Sequence, residues 1–321
     1  MLRLLGKEIE REKGGMKKVC IVMSIYNPKI EYLEKQLKSL DEQEYDNIEV
    51  IIWDDNPASN VDSEIFEKNL RRVSYRYIKG DKNLGYGKAF QHLTELAQGE
   101  YIAFCDQDDI WLKNKISRMV SEIERENAVL VTSDRAIIDD KDNIVISSCR
   151  KENPDICNSW STGDNITARA VFNTCAIGMN ILMRLDIAKK LLPLPEDTAH
   201  DKWFTAGAST QGKTVFLEDV LVYYRRHNSN VSGVLTGISS KKDYYSERVE
   251  YSYGLANTFV ERFPGIADND RKMILEFANA RKQRKILKIW KYRKLSSKVA
   301  FFEIVIKFIP DFIFKRILTK M

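Results

Sequence analysis

Carboxylates gather at three places where they could do chemistry. The densest is Asp106-Gln107-Asp108-Asp109, which follows the apolar run Tyr101-Ile-Ala-Phe-Cys105 and precedes Ile110-Trp111. Two acids separated by one residue in a turn can face the same point, which suits a divalent ion shared between carboxylate and phosphate oxygens. Asp106 and Asp108 meet that need, and Asp109 is a third candidate. The same residues would also make a solvated turn with Asp108 or Asp109 capping the next helix. The apolar strand before them and the apolar pair after them favour a built site. The second place is Asp54-Asp55-Asn56, after Ile48–Trp53. A carboxylate at a strand end can accept from a pyrimidine ring N–H or a ribose hydroxyl, and the plainer alternative is a turn ended by Pro57. The third is Asp201 in His200-Asp-Lys-Trp203, either a simple helix cap or a general base near a sugar hydroxyl.

Glycines and cations supply the rest. Asn83-Leu-Gly85-Tyr-Gly-Lys88 would let backbone approach a ligand, with Lys88 placed to balance a phosphate. Its spacing is neither that of GxxxxGK[ST] nor that of GxGxxG. Tyr224-Arg225-Arg226-His227 offers either arginine for a phosphate and His227 for a metal. His92 falls on a helix face and reads as structural. No Ser or Cys stands in a convincing nucleophilic setting.

These residues need elements to position them. Val19–Tyr26, Ile48–Trp53, Val73–Ile78 and Tyr101–Cys105 read as strands, and Val129–Val131 begins a fifth. Helical spacing runs through Tyr32, Leu33, Leu37 and Leu40, through 83–96, and through Ile116, Met119, Val120 and Ile123. Repeated β-α-β units predict an α/β, doubly wound sheet with ligand beyond the carboxyl ends of the strands. Tyr26-Asn27, Asp54-Asp55 and Asp106–Asp109 would then line one crevice. A hairpin is expected around Asp139–Asn143, with strands near Cys175–Leu182 and Val215–Tyr224.

A chain of 321 residues, 44% hydrophobic and 30% charged, can bury a large core. Five cysteines without a CxxC pair point to a reducing compartment and away from zinc. The opening lacks a secretory h-region, so residues 1–15 read as an extension or a misassigned start. The net charge of +5 hides a surplus of twelve positive charges from Arg271 onward, leaving the remainder at −7. Such a tail suits a polyanion. It lacks RNA-binding signatures, so nucleic acid is not expected.

Taken in order, Tyr-Asn-Pro28, Trp-Asp-Asp-Asn56, Asn-Leu-Gly85, Phe-Cys-Asp-Gln-Asp-Asp-Ile-Trp111, His-Asp-Lys-Trp203 and Tyr-Arg-Arg-His-Asn-Ser-Asn230 resemble glycosyltransferase family 2, and most nearly its bacterial rhamnosyltransferase-like branch, over roughly Lys17 to Gly233. The resemblance implies a GT-A fold: a catalytic domain over 16–235, with a nucleotide-sugar half (16–126) and an acceptor half (127–235), followed by a basic helical region over 236–321. It implies Mn²⁺ or Mg²⁺ on Asp106 and Asp108, with Asp108 the more direct ligand, and His227 near the metal or diphosphate. It also implies base contacts from Asp54 or Asp55 beside Tyr26, and Asp201 as the base of an inverting transfer. Asn56-Pro57 and Tyr86-Gly87 depart from the family's usual residues and leave base and sugar specificity in doubt. The expected donor is dTDP- or UDP-linked, rhamnose or, alternatively, a hexose or N-acetylhexosamine, and the expected acceptor is a glycan or lipid-linked glycan in surface polysaccharide assembly. A non-catalytic sugar-nucleotide-binding scaffold is the alternative of another class. A homo-oligomer is compatible with all of these readings.

Phe301–Leu318 is crowded with apolar residues, while Glu303, Lys307, Asp311 and Lys315 recur every fourth position and predict one narrow polar stripe on a helix kinked at Pro310. Next to the basic segment Arg281–Lys298 this is a recipe for lying on an anionic leaflet, cytoplasmic and peripheral to the inner face of the membrane. Packing of the helix on the core or on a second subunit is the competing expectation.

Overall fold

The structure, a computed structural model, describes residues 15–154, 160–226 and 237–318. Strands β1 (Val19–Ile25), β2 (Ile48–Asp54), β3 (Ser74–Lys79) and β4 (Tyr101–Cys105) are parallel, in the order β3-β2-β1-β4. Helices α1 (Ile30–Asp41), α2 (Glu64–Asn69) and α3 (Tyr86–Leu96) connect them. Burial on both faces explains why β1 is continuously apolar. Cys20 and Val22 enter one core layer while Val19, Ile21, Met23 and Ile25 enter the other.

After β4 the sheet turns mixed. The pair Ile110–Trp111 is itself a short strand, β5, rather than the mere lead-in to helix α4 (Lys115–Arg125). The long strand β6 (Leu130–Ile138) returns through Asp139–Asn143 to β7 (Ile144–Ile146), giving the expected hairpin. β8 (Ile181–Arg184) lies antiparallel between β4 and β6, and β9 (Thr214–Arg225) runs parallel to β6. Ile110 and Trp111 pair antiparallel with Tyr223 and Val222 of β9. The residues just after the acidic turn are thereby hydrogen-bonded to the end of a strand over a hundred positions away.

Among the described residues of the second half lie the short helices α5 (Cys149–Glu152), α6 (Thr167–Phe172), α7 (Leu185–Lys190) and α8 (His200–Ala208). A turn of helix at Lys241–Asp243 passes through a π-helical stretch, Tyr244–Val249, into α9 (Glu250–Arg262). Then follow α10 (Asp268–Lys282), α11 (Ile286–Lys291), α12 (Ser297–Phe308) and α13 (Asp311–Leu318). Pro310 lies in the break between α12 and α13 instead of kinking one continuous helix.

The expected polar stripe of this tail does not face solvent as a unit. Glu303 is 2% exposed, and its carboxylate receives Arg281 Nε and Nη2 at 3.0 and 2.8 Å and the Tyr244 hydroxyl at 3.0 Å. Arg281 Nη1 also donates to Ser252 Oγ. Ala300 and Ile306 are buried with Glu303, at the spacing of one helix face, so Phe301, Val305 and Phe308 point outward. An internal charge pair thus shares the buried face of α12 with apolar residues. Removing one member of a buried, hydrogen-bonded ion pair strands the other. Glu303→Ala is therefore expected to lower stability by about 3–5 kcal/mol, read from urea unfolding. Arg281→Met with Glu303→Leu should recover most of that loss.

Candidate active site

The carboxyl ends of β1, β2 and β4 are stitched together by backbone and amide contacts. The Asp55 N–H donates to Ile25 O at 2.8 Å. Gln107 bridges to the neighbouring strand end: its Oε1 accepts from the Tyr26 N–H at 2.8 Å, and its Nε2 donates to Tyr26 O at 3.3 Å. Asn56 Nδ2 donates to Asn27 Oδ1 at 2.7 Å. Gln107, the residue between the two acids, thus fixes where they stand relative to Tyr26. The spacing of the acids drew attention past it, although a side chain carrying both a donor and an acceptor was the available signal.

Asp54 and Asp55 are both buried and both bonded within the protein. Asp54 accepts from the Tyr77 hydroxyl at 2.9 Å and the Asn56 N–H at 3.1 Å. Asp55 accepts from Trp53 Nε1, the Leu84 N–H and the Gly85 N–H at 2.9, 2.8 and 2.9 Å. Asp55 therefore pins the Asn83–Gly85 loop against the end of β2. Gly85, with φ of +76°, takes a left-handed conformation as the chain enters α3. Asn83 Oδ1 also holds the Gly85 N–H. Lys88, on the first turn of α3, is exposed and lies 3.9 Å from Glu196.

Gly87 lets α3 start close to another segment, since a Cβ there would lie 2.8 Å from the Thr198 carbonyl. This approach brings Tyr86 within electrostatic reach of Asp201. Tyr86 is half-exposed, and the sequence marked it only as a departure from the family pattern.

Asp201 stands in the first turn of α8. Its Oδ1 accepts from the Lys202 N–H at 2.6 Å, and the Gly178 N–H also reaches it. Burial pushes its carboxyl up to about 6, against the pull of those N–H groups. Asp106 is pushed up to about 7, first by burial and then by the negative charges of Asp108 and Asp201. That coupling brings together Asp106, Asp108 and Asp201, which the sequence could only name separately.

Asp109 departs from its candidate role at the metal. It is fully buried, its Oδ1 accepts the Arg225 N–H at 3.0 Å, and burial together with Asp108 and Asp106 raises its carboxyl well above the usual range. Arg225 also departs from its expected role on a phosphate. Its guanidinium is fully buried, donating from Nε to Asp108 O at 2.8 Å and from Nη1 to Asp139 O at 3.0 Å. It also pairs with the Asp142 carboxylate and stacks 4.3 Å from the centre of the Tyr32 ring. A guanidinium so enclosed holds the acidic turn in place and is not available to a diphosphate. Arg226 is exposed at the end of β9, and Tyr26 is half-exposed at the end of β1. His227 lies outside the described residues.

Among the described residues, no group of three or more His, Cys, Asp or Glu side chains is arranged to hold a metal alone. A small divalent ion that keeps waters and shares diphosphate oxygens needs only one or two carboxylates. Asp106 and Asp108 fit it, because a cation would offset both the burial and the neighbouring negative charges that raise Asp106.

A mixed sheet with acidic residues at the ends of its parallel strands is the arrangement of a GT-A glycosyltransferase. The structure of Staphylococcus aureus TarS residues 1–349 in complex with UDP-GlcNAc matches with a TM-score of 0.60 at 18% identity, over 88% of this chain and 82% of that one. The mannosyltransferase PcManGT of Pyrobaculum calidifontis, in complex with GDP-Man and Mn²⁺, matches with a TM-score of 0.55 at 15% identity, over 89% of this chain and 74% of that one. In sequence, the family model for glycosyl transferase family 2 matches residues 20–191, and the chain belongs to that family. An uncharacterised glycosyltransferase of Nostoc sp. is 25% identical over 87% of this chain and 88% of its own length. The UDP-Glc:alpha-D-GlcNAc-diphosphoundecaprenol beta-1,3-glucosyltransferase WfaP of Escherichia coli is 27% identical over 68% of this chain and 80% of its own. The protein is a glycosyltransferase with a nucleotide-sugar donor.

His200, beside the candidate base, is buried against Phe90 and Phe104, with ring centroids 3.8 and 5.2 Å away. Neither ring nitrogen has a hydrogen-bond partner among the described residues. A Cβ on Gly178 would lie 2.6 Å from its Nε2, so glycine there is what admits the ring. Burial lowers the imidazole to about 3, and it stays neutral. The unfolded chain then binds the proton more readily. The resulting stability is complete above about pH 6.5 and is lost as pH falls toward 3. Between pH 6.5 and 5, His200 should account for about 2 kcal/mol of lost stability. Urea unfolding of wild type and His200→Leu at both pH values should show this difference, since other groups titrate alike in the two proteins.

Proposed function

We propose that the protein is an inverting, metal-dependent glycosyltransferase that moves a sugar from a nucleotide diphosphate to a hydroxyl of a glycan or lipid-linked glycan at the membrane surface. The observation that carries this reading is the placement of Asp106 and Asp108 in the turn after β4, with Asp201 on the first turn of α8 near enough for its charge to act on Asp106. Asp106 and Asp108 would hold Mn²⁺ or Mg²⁺. When bound, the ion would offset charge on the departing diphosphate. Tyr26 and the Asp54 strand end flank the nucleoside side of the crevice, while Asn83, Gly85, Lys88 and Arg226 lie on loops or a helix start from which a phosphate can be approached.

Asp201 would take the proton from the acceptor hydroxyl as it attacks the anomeric carbon from the face opposite the leaving group. Its raised carboxyl is a stronger base than an ordinary aspartate and is still largely ionised at neutral pH. Inversion follows from a single displacement with a base and no protein nucleophile. For the donor sugar, a UDP-linked glucose or N-acetylhexosamine is supported by the glucosyltransferase relatives and the UDP-GlcNAc complex of the TarS neighbour. Rhamnose rests on the sequence resemblance alone. A lipid-linked acceptor is supported by the diphosphoundecaprenol substrates that the E. coli relatives' names carry. Among the described residues no helix is long and apolar enough to cross a membrane, and the tail's outward phenylalanines suit peripheral attachment at its inner face.

Asp108→Asn should keep the fold and lose most transfer, and excess chelator should do the same to wild type. Full turnover in chelator, measured with a panel of nucleotide sugars, would overturn the metal assignment. Asp201→Asn should leave nucleotide affinity by calorimetry nearly unchanged while turnover falls on the order of 10²–10⁴-fold. An equal fall in donor binding would make Asp201 a binding residue instead.

A further inference from the structure

The C-terminal region encloses a cleft of about 660 Å³ that is separate from the acidic crevice. Its lining includes Lys241, Lys242, Lys282, Arg284 and Lys307, against two acids, Glu250 and Asp311. Glu250 is already paired with Lys282 at 2.8 Å, so the remaining charge is strongly positive. Arg284 and Lys307 are held by structure. Arg284 turns out of α10 with φ of +53°, and its guanidinium stacks 3.7 Å from the centre of the Tyr245 ring. Lys307 Nζ donates to the Arg284 carbonyl at 3.0 Å, which fastens α12 to that turn.

The same region carries an apolar surface. Seven of the thirteen large hydrophobic residues exposed among the described residues lie between Leu287 and Ile313, which makes this a concentrated patch and not scattered exposure. Phe301, Phe308 and Phe312 are 65%, 72% and 73% exposed. The first two lie outside the buried face of α12 that holds Glu303, as described above. A phenylalanine surface beside a fixed cationic cleft matches the layering of a bilayer, with its anionic phosphates above hydrocarbon. An acidic protein partner would satisfy the cleft but not the phenylalanines.

We propose that this cleft is a binding site for the phosphate headgroup of an anionic membrane phospholipid, seated while the neighbouring phenylalanines enter the bilayer. The proposal rests on the peripheral-membrane reading and deepens it by naming a site. Charge-assisted hydrogen bonds from fixed donors exceed the diffuse attraction of exposed lysines.

The test is co-sedimentation of the full-length protein with phosphatidylcholine vesicles and with phosphatidylcholine–phosphatidylglycerol vesicles. Lys242→Gln with Arg284→Gln is compared with Lys288→Gln and Lys291→Gln, which removes the same charge outside the cleft. Diffuse attraction predicts equal losses, roughly fivefold per charge. A headgroup site predicts that the cleft pair loses about a further tenfold on the phosphatidylglycerol vesicles alone, with donor hydrolysis unchanged in both variants. Equal losses would overturn the site and leave membrane attachment standing. A wild type that sediments with neither vesicle would overturn both.

Discussion

The guanidinium of Arg225 sits where three distant parts of the chain meet, and the acidic turn takes its shape from that contact. The backbone N–H of Arg225 holds Asp109, its Nε holds the Asp108 carbonyl, and its Nη1 reaches the hairpin at Asp139 and Asp142. A buried cation is stabilised only when its donors are met, and an acidic turn stays rigid only when something fixed opposes it. The β5–β9 pairing adds backbone bonds at Ile110 and Trp111. The clamp therefore holds the turn at the Asp108 carbonyl and the Asp109 carboxylate.

Burial raises the Asp106 carboxyl first, and the negative charges of Asp108 and Asp201 add to it. Burial also dominates at Asp201, where N–H groups of α8 and Gly178 oppose it instead of like charges adding to it. His200, next in the chain to Asp201, contributes packing against Phe90 and Phe104 and no charge.

The C-terminal region follows a comparable logic on another face. Burying Glu303 against Arg281 and Tyr244 costs desolvation, and the hydrogen bonds among them offset it. With Glu303, Ala300 and Ile306 on the buried face of α12, Phe301 and Phe308 are left in water. Tyr251, within α9, donates to Thr198 three residues before Asp201, so the helical region is also tied directly to the catalytic half.

Much of the architecture could be read from residue order. Apolar runs ended by polar or acidic residues marked β1, β2 and β4, because a parallel strand buried on both faces is apolar along its length and ligands lie beyond its carboxyl end. The same logic singled out Asp106 and Asp108, whereas Asp201, at a helix start, was singled out by the His-Asp-Lys-Trp203 pattern. Periodicity could not tell that Ile110–Trp111 is a strand, since two residues pair only when β9 is brought beside them. Nor could it reveal that Arg225 faces inward, that Asp55 is occupied by Leu84 and Gly85, or that Glu303 is buried. A charged side chain's role depends on which partners surround it, and those partners lie far away in sequence. Local pattern fixes the elements and the chemistry on offer. The long-range contacts decide which charges are spent on structure and which remain for substrate.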